Sequence, residues 1–367
     1  REIKPDIILL AGGTDSGETE SAVENAGLIA RAAKGPGKFS AKVIVACNIA
    51  AQPEVARVLE EAGVPFTRVG NVMPTIHDLN VRPARAAIHA EFIRQITNAP
   101  GLAGLADLVE DKEVIPTPAA ILMGAELLAG GTYKQDGVGG VLVLDVGGAT
   151  TDVHSVIPAL GELRLEERGL VINNDKQVAF RTVEGNLGLR VSATGIVEAV
   201  GPAGVLNLRD RLSGSDGGAA TEEECARVEE YARFLEAHTE HLPENDWEKA
   251  LEPALAGAAL EVALRRHAGH WLTEYNPVLG IQPGAPVGRD LRPIKWVIGV
   301  GGFFSHRPEQ ESAAILRHIF SNPGLSLFPE EPIFRVDHNY LLYAMGLLGK
   351  KSPDAALAFA REYFKMD

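Results

Sequence analysis

The residues best suited to chemistry lie in one stretch, VLVLDVGGATTDVHSV at positions 141–156. An apolar run leads to a carboxylate, bare glycines follow, and hydroxyl side chains precede a second run of β-forming residues. The chemically useful members are Asp145, Gly147, Gly148, Thr150 and Thr151. Glycine lets an anion come close to backbone N–H groups, and threonine hydroxyls add hydrogen-bond donors. The pattern predicts a β-hairpin whose tip binds phosphate groups.

Asp145 sets the chemistry expected at this tip. A carboxylate beside phosphates places negative groups together, which requires a divalent cation such as Mg²⁺ or a polarised water between them. The motif is not a P-loop, because no lysine follows the glycines and a strand rather than a helix follows the turn. A plain hairpin closed by a glycine turn is the alternative interpretation of the same residues.

A second apolar run also ends in glycine. It is WVIGVGGFF at 296–304, and it contains Gly301, Gly302 and Phe303. Taken alone, this run indicates only a turn from a strand into a helix. Taken with the hairpin, it gives an order of phosphate hairpin, helical insertion and glycine-ended strand.

The elements that must position these residues fall into three predicted segments. Residues 1–80 alternate strands and helices, which predicts a parallel three-layer α/β subdomain. Residues 81–137 are predicted as a helical connection, with a helix from about Pro118 to Gly130. Residues 138–367 contain the hairpin, a helical insertion at about 205–275 and the glycine-ended strand.

Several smaller features carry predictions of their own. Residues 181–200 are predicted as loop and helix, and the Gly/Ser/Asp-rich residues 205–220 as a loop. The Gly12–Gly13 loop is either a structural turn or a contact with a domain or a partner. His267 and His270 lie three residues apart on a predicted helix. Since no third ligand is placed nearby, a solvated or capping role is favoured over metal binding.

Composition limits the class of protein. The 367 residues are 46% hydrophobic and 23% charged, which is ordinary for a globular protein. The net charge of −14 argues against nucleic acid or an anionic membrane as a partner. No apolar run reaches transmembrane length and no signal peptide is visible, so a cytoplasmic location is expected. Because the chain starts at Arg1 and enters a strand almost at once, we expect it to lack its natural N-terminus.

The order of the two glycine segments resembles the second half of the actin, heat-shock chaperone and sugar-kinase superfamily. Six phrases narrow the resemblance: PDIILLAGGTDSGE, NVMPTIHDLNVRPAR, PTPAAILMGAELL, VLDVGGATTDVHSV, RTVEGNLGLR and VIGVGGFF. In this order, over nearly the whole chain, they resemble the accessory proteins of adenosylcobalamin-dependent glutamate mutase, the MutL/GlmL type. The resemblance implies an actin-like (RNase H-like) ATPase domain with a helical insertion. It also implies a chaperone that uses ATP and Mg²⁺ to reactivate a cobalamin-dependent mutase, with adenosylcobalamin belonging to the partner enzyme.

The resemblance also implies roles for individual residues. The β- and γ-phosphates and the water shell of Mg²⁺ are assigned to Asp145, Gly147, Gly148, Thr150 and Thr151, with the carboxylate as catalytic group and metal ligand. Gly301 and Gly302 would approach the ribose and α-phosphate. Phe303 or Phe304 would pack near the base, with core packing as the favoured alternative for either. Glu184 and Gly185 would line the nucleotide cleft, with a helix-start carboxylate as the alternative for Glu184.

The superfamily's first phosphate hairpin has no counterpart in this sequence. We therefore expect this chain alone to hydrolyse ATP no faster than background unless a partner completes the cleft, and ATPase activity to belong to the full-length protein. An ATP-dependent amidohydrolase of the hydantoinase or oxoprolinase type is a second candidate, because its phosphate hairpin also resembles DVGGATTDV. A non-enzymatic binding module on the same fold is a third, and a homo-oligomer remains open.

Overall fold

The computed structural model describes residues 5–35, 39–76, 78–97, 115–157, 178–215, 218–275 and 280–366. The chain divides into two compact units, Arg1–Pro116 and Thr117–Asp367. The division falls inside the segment 81–137, which the sequence predicts as one helical connection. The helix at Arg82–Thr97 lies in the first unit and the helix at Thr117–Gly130 in the second. The part of the predicted connection at 98–114 lies outside the described residues.

The first unit alternates strands and helices. It contains β1 (Ile7–Leu10), α1 (Glu20–Ala33), β2 (Lys42–Val45), α2 (Gln52–Glu61), β3 (Phe66–Arg68) and α3 (Arg82–Thr97). The strands pair in parallel in the order β1-β2-β3, as the alternating pattern predicts. On one face Val43 and Val45 pack in a core with α1 and α2. On the other face α3 approaches β2, where Glu91 and Lys42 form an ion pair at 3.3 Å. The sheet therefore has helices on both faces.

β1 is less buried than a strand with two apolar faces would be. Leu9 is 46% exposed, whereas its neighbour Leu10 is buried in the core. β1 is an edge strand, because it pairs only with β2 among the described strands. An edge position leaves part of one strand face open to solvent, which the apolar run does not reveal.

The second unit is built on a mixed sheet. Its elements are α4 (Thr117–Gly130), β4 (Val141–Val146), β5 (Thr151–Val156), β6 (Ala179–Glu184), α5 (Ala193–Val200), α6 (Pro202–Leu212), α7 (Glu222–Ala237), α8 (Asp246–His267), β7 (His270–Trp271), β8 (Pro286–Val287), β9 (Trp296–Val300), α9 (Gly302–Ser305), α10 (Glu309–Phe320), β10 (Ile333–Val336), α11 (Leu342–Lys351) and α12 (Pro353–Phe364). Five strands form one sheet in the order β10-β9-β4-β5-β6. β5 is antiparallel to both β4 and β6, whereas β4, β9 and β10 run parallel. β7 and β8 pair separately.

Both faces of this sheet are buried, which explains the unbroken apolar run of β4. Successive side chains of a strand point to opposite faces. Leu142 and Leu144 therefore join a core that also holds residues of α5, α6, α7 and α8. Val141 and Val143 join a second core with residues of α4, α11 and α12. The alternation places Asp145 on the second face, at the end of the strand. No helix in the described part of the chain is both long and apolar enough to cross a membrane.

Two predictions within this unit are wrong. Residues 181–184 form the end of β6 rather than a loop, because each pairs with a residue of β5. The charged Arg181 forms an ion pair with Asp152 of β5. Residues 205–212 are helical rather than part of a loop. α6 starts with proline at its first position and buries Val205, Leu206 and Leu208, so the Gly/Ser-rich loop begins only after it ends.

Candidate functional site

The hairpin between β4 and β5 closes through residues 147–150, as the sequence predicts. The Gly147 N–H donates to the Thr150 carbonyl at 2.9 Å. The loop after β6 supports this tip. The N–H groups of Leu189 and Arg190 donate to the carbonyls of Gly147 and Gly148 at 3.0 and 2.8 Å. These bonds tie two carbonyls of the tip to the loop and hold the tip in place.

Gly188 allows the loop to lie directly against the tip. A Cβ at position 188 would lie 2.2 Å from the carbonyl carbon of Ala149. We expect Gly188→Ala to separate tip and loop and to lower the free energy of unfolding by about 1–3 kcal/mol, the usual range for overpacking. Urea denaturation measures this change. Gly185→Ala is the matched control in the same loop, since no atom lies within 4 Å of its Cβ position. Equal stability of the two variants would contradict the contact.

Three buried carboxylates gather at the end of the sheet that carries the tip. Asp145 of β4 lies opposite Asp152 of β5, and Asp337 follows β10. Their exposed fractions are 8%, 2% and 0%. Asp152 pairs with Arg181 at 2.7 Å and accepts a hydrogen bond from the Thr150 hydroxyl at 3.0 Å. Asp337 accepts from two N–H groups at the start of α11 at 2.8 and 2.7 Å. These partners compensate the negative charges of Asp152 and Asp337.

Asp145 is the perturbed member of this group. Burial raises the pKa of Asp145 to about 7, and the negative charges of Asp152 and Asp337 add to the rise. Arg181 opposes the rise but does not cancel it. A carboxylate that is costly to ionise gains most when a ligand brings a positive charge to it. Strongly shifted pKa values of this kind cluster at functional sites.

Gly301 brings the glycine-ended strand against Asp145. It follows β9, which pairs in parallel with β4, and its φ is +103°, in the region that favours glycine. A Cβ at position 301 would lie 2.6 Å from the Val146 carbonyl oxygen and 2.7 Å from Oδ1 of Asp145. Only glycine therefore lets the end of β9 touch the end of β4. The two segments that the sequence singles out are neighbours in the fold.

The two glycine segments open into one pocket of about 470 Å³. Its lining includes Gly147, Gly148, Arg190, Glu252, Gly302 and Phe303. The hairpin tip thus contributes one wall, and the start of α9 contributes another. Phe303 lies on the pocket wall, whereas Phe304 is fully buried in the core. Phe303 also packs against this core, with its ring centre 5.2 Å from that of Phe304. Core packing therefore applies to both residues, and Phe303 lines the pocket as well.

Two arginines that the sequence analysis misses give the pocket its charge. Arg190 and Arg307 both bind Glu252, at 2.5 and 3.0 Å, and the three side chains are only 13–15% exposed. The Arg307 guanidinium lies over the ring of Phe303, 4.4 Å from its centre. The buried Nε of Arg307 has no hydrogen-bond partner among the described residues. Arg307 also binds Glu311, which lines the same pocket, at 3.4 Å. The pocket wall therefore carries two arginines whose charges are matched by two glutamates.

Other predicted site residues lie outside this pocket lining. Glu184 ends β6 and pairs with Arg266 of α8 at 2.5 Å, so it neither starts a helix nor faces the pocket. Gly185 follows it and is likewise absent from the lining. Thr151 is fully buried and donates its hydroxyl to the Leu187 carbonyl at 2.5 Å. Thr151 therefore anchors the supporting loop, while Thr150 donates to Asp152 beside the tip.

His267 is not solvated, which corrects the prediction for this residue. It is 1% exposed, and its ring nitrogens lie 2.8 Å from the hydroxyls of Ser155 and Thr182. Burial, together with Arg289 and His154, lowers its pKa well below the ordinary value. His270 is exposed in β7, away from the helix. Within the described ranges no three His, Cys, Asp or Glu side chains are grouped as a metal site.

The fold and the pocket define an α/β protein with a mixed five-stranded sheet and a partly charged pocket at the glycine end of that sheet. The sequence matches the family model described as MutL protein over residues 1–364. The chain belongs to this family, as the six sequence phrases predict. It is 34% identical over 359 residues to Protein MutL of Clostridium tetanomorphum, a match that covers 98% of this chain and 72% of that protein.

Proposed function

We propose that this chain forms the nucleotide-binding part of an ATP-dependent accessory protein that reactivates an adenosylcobalamin-dependent mutase. The observation that carries the proposal is the pocket in which the Gly147–Gly148 tip, the start of α9 and the arginines 190 and 307 meet. Phosphates suit the glycine tip and the cations, and a flat base suits an aromatic wall. Asp145 is not among the residues that line the pocket, but its Oδ1 lies 2.7 Å from the Cβ position of Gly301, the residue before Gly302 of the lining, and its pKa is raised.

The sheet supports an actin-like fold for the second unit. The hairpin strands lie at its centre, an antiparallel strand extends one side and parallel strands extend the other. Helices cover both faces. This arrangement agrees with the RNase H-like topology that the resemblance implies. We assign α5–α8, between the hairpin and β9 in the chain, to the helical insertion that covers the nucleotide.

The residues that line the pocket would contact different parts of the nucleotide. The tip offers the Gly148 N–H to phosphates, since the Gly147 N–H already donates to the Thr150 carbonyl. Arg190, whose side chain lies 3.7 Å from the Cβ position of Gly148, would neutralise the phosphates. Phe303 and Arg307 form a stacked wall for the base. Gly302 leaves open space at the start of α9. Catalysis then rests on positioning and electrostatics, as in other phosphoryl transfer reactions.

The carboxylates fit Mg²⁺ as it is usually bound. Mg²⁺ keeps several waters and takes one or two carboxylates together with substrate phosphates, so a site made by protein groups alone is not needed. Asp145 is the residue that would hold it, since its charge is the least compensated of the three. The bound ion would supply charge stabilisation at the phosphates. Asp152 pairs with Arg181, and Asp337 accepts hydrogen bonds from N–H groups at the start of α11. These bonds fix the structure around Asp145.

The partner follows from the family. We propose mutase subunits, of glutamate mutase or a related aminomutase, as the clients in the cytoplasm, and adenosylcobalamin as their cofactor rather than that of this chain. The family membership supports this assignment. Neither the amidohydrolase nor the non-enzymatic binding module gains support from the family match.

The proposal is tested with the full-length gene product and the purified mutase of the same organism. We expect inactivated mutase to regain activity when the protein, ATP, Mg²⁺ and fresh adenosylcobalamin are supplied together, and not when a nonhydrolysable analogue replaces ATP. Arg307→Gln should raise the ATP concentration required by about tenfold or more, because a charge-assisted hydrogen bond is worth roughly 1.5–3 kcal/mol. The exposed Arg317→Gln on α10 is the matched control. Reactivation without ATP, or turnover of hydantoin or oxoproline by the protein alone, would refute the proposal.

A further inference from the structure

We propose that the carboxyl edge of the β1-β2-β3 sheet is a docking surface for a protein that presents apolar side chains beside Lys or Arg. We define this edge surface by the exposed side chains of Ile49, Met73, Ile76 and Leu79. Under the proposed function the occupant is a mutase subunit, and for that identity the inference rests on the proposed function. The surface lies in the first unit, whereas the nucleotide pocket lies in the second.

The edge surface concentrates apolar side chains that are unusually open. Ile49, Met73, Ile76 and Leu79 are 55%, 37%, 77% and 44% exposed. They lie in the two loops that follow β2 and β3, at 46–51 and 69–81. Loops that follow parallel strands emerge at the same edge of a sheet. Single exposed apolar residues need no explanation, but several on one edge mark an interaction site.

A polar network holds these loops in place. Oδ1 of Asp15 accepts from the Ile49 N–H at 3.0 Å and from the Asn71 side chain at 2.8 Å. The Asp15 N–H donates to the Pro74 carbonyl at 3.0 Å. The Asp15 carboxylate therefore joins all three loops of the edge. Ile49 and the segment around Met73 are neighbours because they share this one side chain.

Two buried amides complete the network. The side chain of Asn48, which is 0% exposed, donates to the carbonyls of Gly17 and Glu18 at 3.2 and 3.1 Å. The side chain of Asn71, which is 2% exposed, donates to the Gly13 carbonyl at 2.9 Å. Breaking a satisfied buried network is costly, so the apolar side chains on these loops are held outward. The Gly12–Gly13 loop thus serves to support the edge surface.

The acidic charge of the edge surface indicates which kind of partner it would bind. The three loops at 11–19, 46–51 and 69–81 contain Asp15, Glu18 and Asp78 and no lysine or arginine. An apolar patch with an acidic border is complementary to apolar side chains bordered by basic ones. The same charge disfavours nucleic acid and anionic membranes. The three strands follow one another in chain order, so the sheet has no switch point at which a small-molecule crevice forms.

The test measures binding of the full-length protein to purified mutase subunits by interferometry. We expect the double variant Ile49→Asp, Ile76→Asp to weaken binding by about tenfold or more, the effect of losing central apolar contacts. Leu28→Asp on α1 is the matched control, since Leu28 is also 55% exposed in the same unit. It should bind within about twofold of wild type. Asp78→Asn should reduce the salt dependence of the association rate, because rim charges act mainly on that rate.

The outcomes separate this inference from the proposed function. Circular dichroism and thermal unfolding show whether the double variant is folded, and nucleotide titration of the same samples reports on the pocket independently. If the folded double variant binds the mutase as well as wild type does, the docking surface is wrong and the nucleotide function stands. If the wild-type protein binds nucleotide but no mutase subunit, the assignment of a mutase subunit to the edge surface is wrong. If the double variant instead dissociates a dimer in sedimentation, the occupant is a second copy of the chain, and the inference falls.

Discussion

Replacing Asp145 with asparagine is expected to stabilise the nucleotide-free protein at neutral pH while lowering ATP turnover of the full-length gene product by at least about tenfold. Asparagine has nearly the same size but carries no charge. In the folded protein, burial and the neighbouring carboxylates raise the pKa of Asp145 to about 7, from an ordinary value of 3.8. Above about pH 7 the wild-type protein therefore carries a costly ionised group, which the proposed Mg²⁺ site would need and the fold does not.

The sign of the pH dependence follows from this shift. Between about pH 4 and pH 7 the folded protein retains a proton on Asp145 that the unfolded chain has already released, so stability falls as pH rises through this range. Above about pH 7 both states are ionised and the folded state carries the whole cost, on the order of 4 kcal/mol. Asparagine is free of this cost at every pH. Its advantage over wild type should therefore be small near pH 4 and largest above pH 7.

Urea denaturation without nucleotide at about pH 5 and about pH 8 measures this advantage. Asp136→Asn, at an exposed carboxylate, is the control and should stay within about 0.5 kcal/mol of wild type at both values. An Asp145→Asn protein that is less stable than wild type at the higher pH would show that the charge is compensated in the fold. Unchanged ATP turnover at saturating Mg²⁺ would remove Asp145 from the mechanism.

Gly301→Ala is expected to damage both the fold and the pocket. Alanine at φ +103° is strained, and its Cβ would lie 2.6 Å from the Val146 carbonyl oxygen. Backbone strain of about 1–3 kcal/mol and overpacking of about 1–3 kcal/mol together predict a loss of roughly 2–6 kcal/mol in the free energy of unfolding. Since the same Cβ would displace Asp145, nucleotide affinity should fall by more than about tenfold. Thermal unfolding and calorimetric titration measure the two effects.

The neighbouring glycine separates these effects. No atom lies within 4 Å of the Cβ position of Gly302, and this residue lines the pocket. Gly302→Ala should therefore unfold at the same temperature as wild type. It should weaken nucleotide binding only to the extent that its added methyl group takes up space in the pocket. If Gly301→Ala and Gly302→Ala unfold at the same temperature, the close contact between the ends of β4 and β9 is wrong.

The parts of the site that the sequence predicts are those that depend on local pattern. The hairpin tip follows from glycines between two β-forming runs, and the position of Phe303 follows from the glycine end of β9. The three parallel strands of the first unit follow from short apolar runs that alternate with helices. In each case the residues that decide the structure lie within a few positions of one another.

The parts that the sequence does not predict depend on distant residues. Arg190 lies 62 positions from Glu252, and Arg307 lies 55 positions from it, so the charged wall forms only when the chain folds. His267 is predicted as solvated because its partners Ser155 and Thr182 lie 112 and 85 positions away. A polar residue with distant partners looks in the sequence like a surface residue.

The crystal structure of the full-length gene product with Mg²⁺ and a nonhydrolysable ATP analogue tests the central claim most directly. We predict phosphates at the Gly147–Gly148 tip, Arg190 in contact with them, Asp145 on the metal side, and the base against Phe303 and Arg307. An analogue bound elsewhere at saturating concentration, with this pocket empty, would contradict the assignment of a nucleotide site to this member of the MutL protein family.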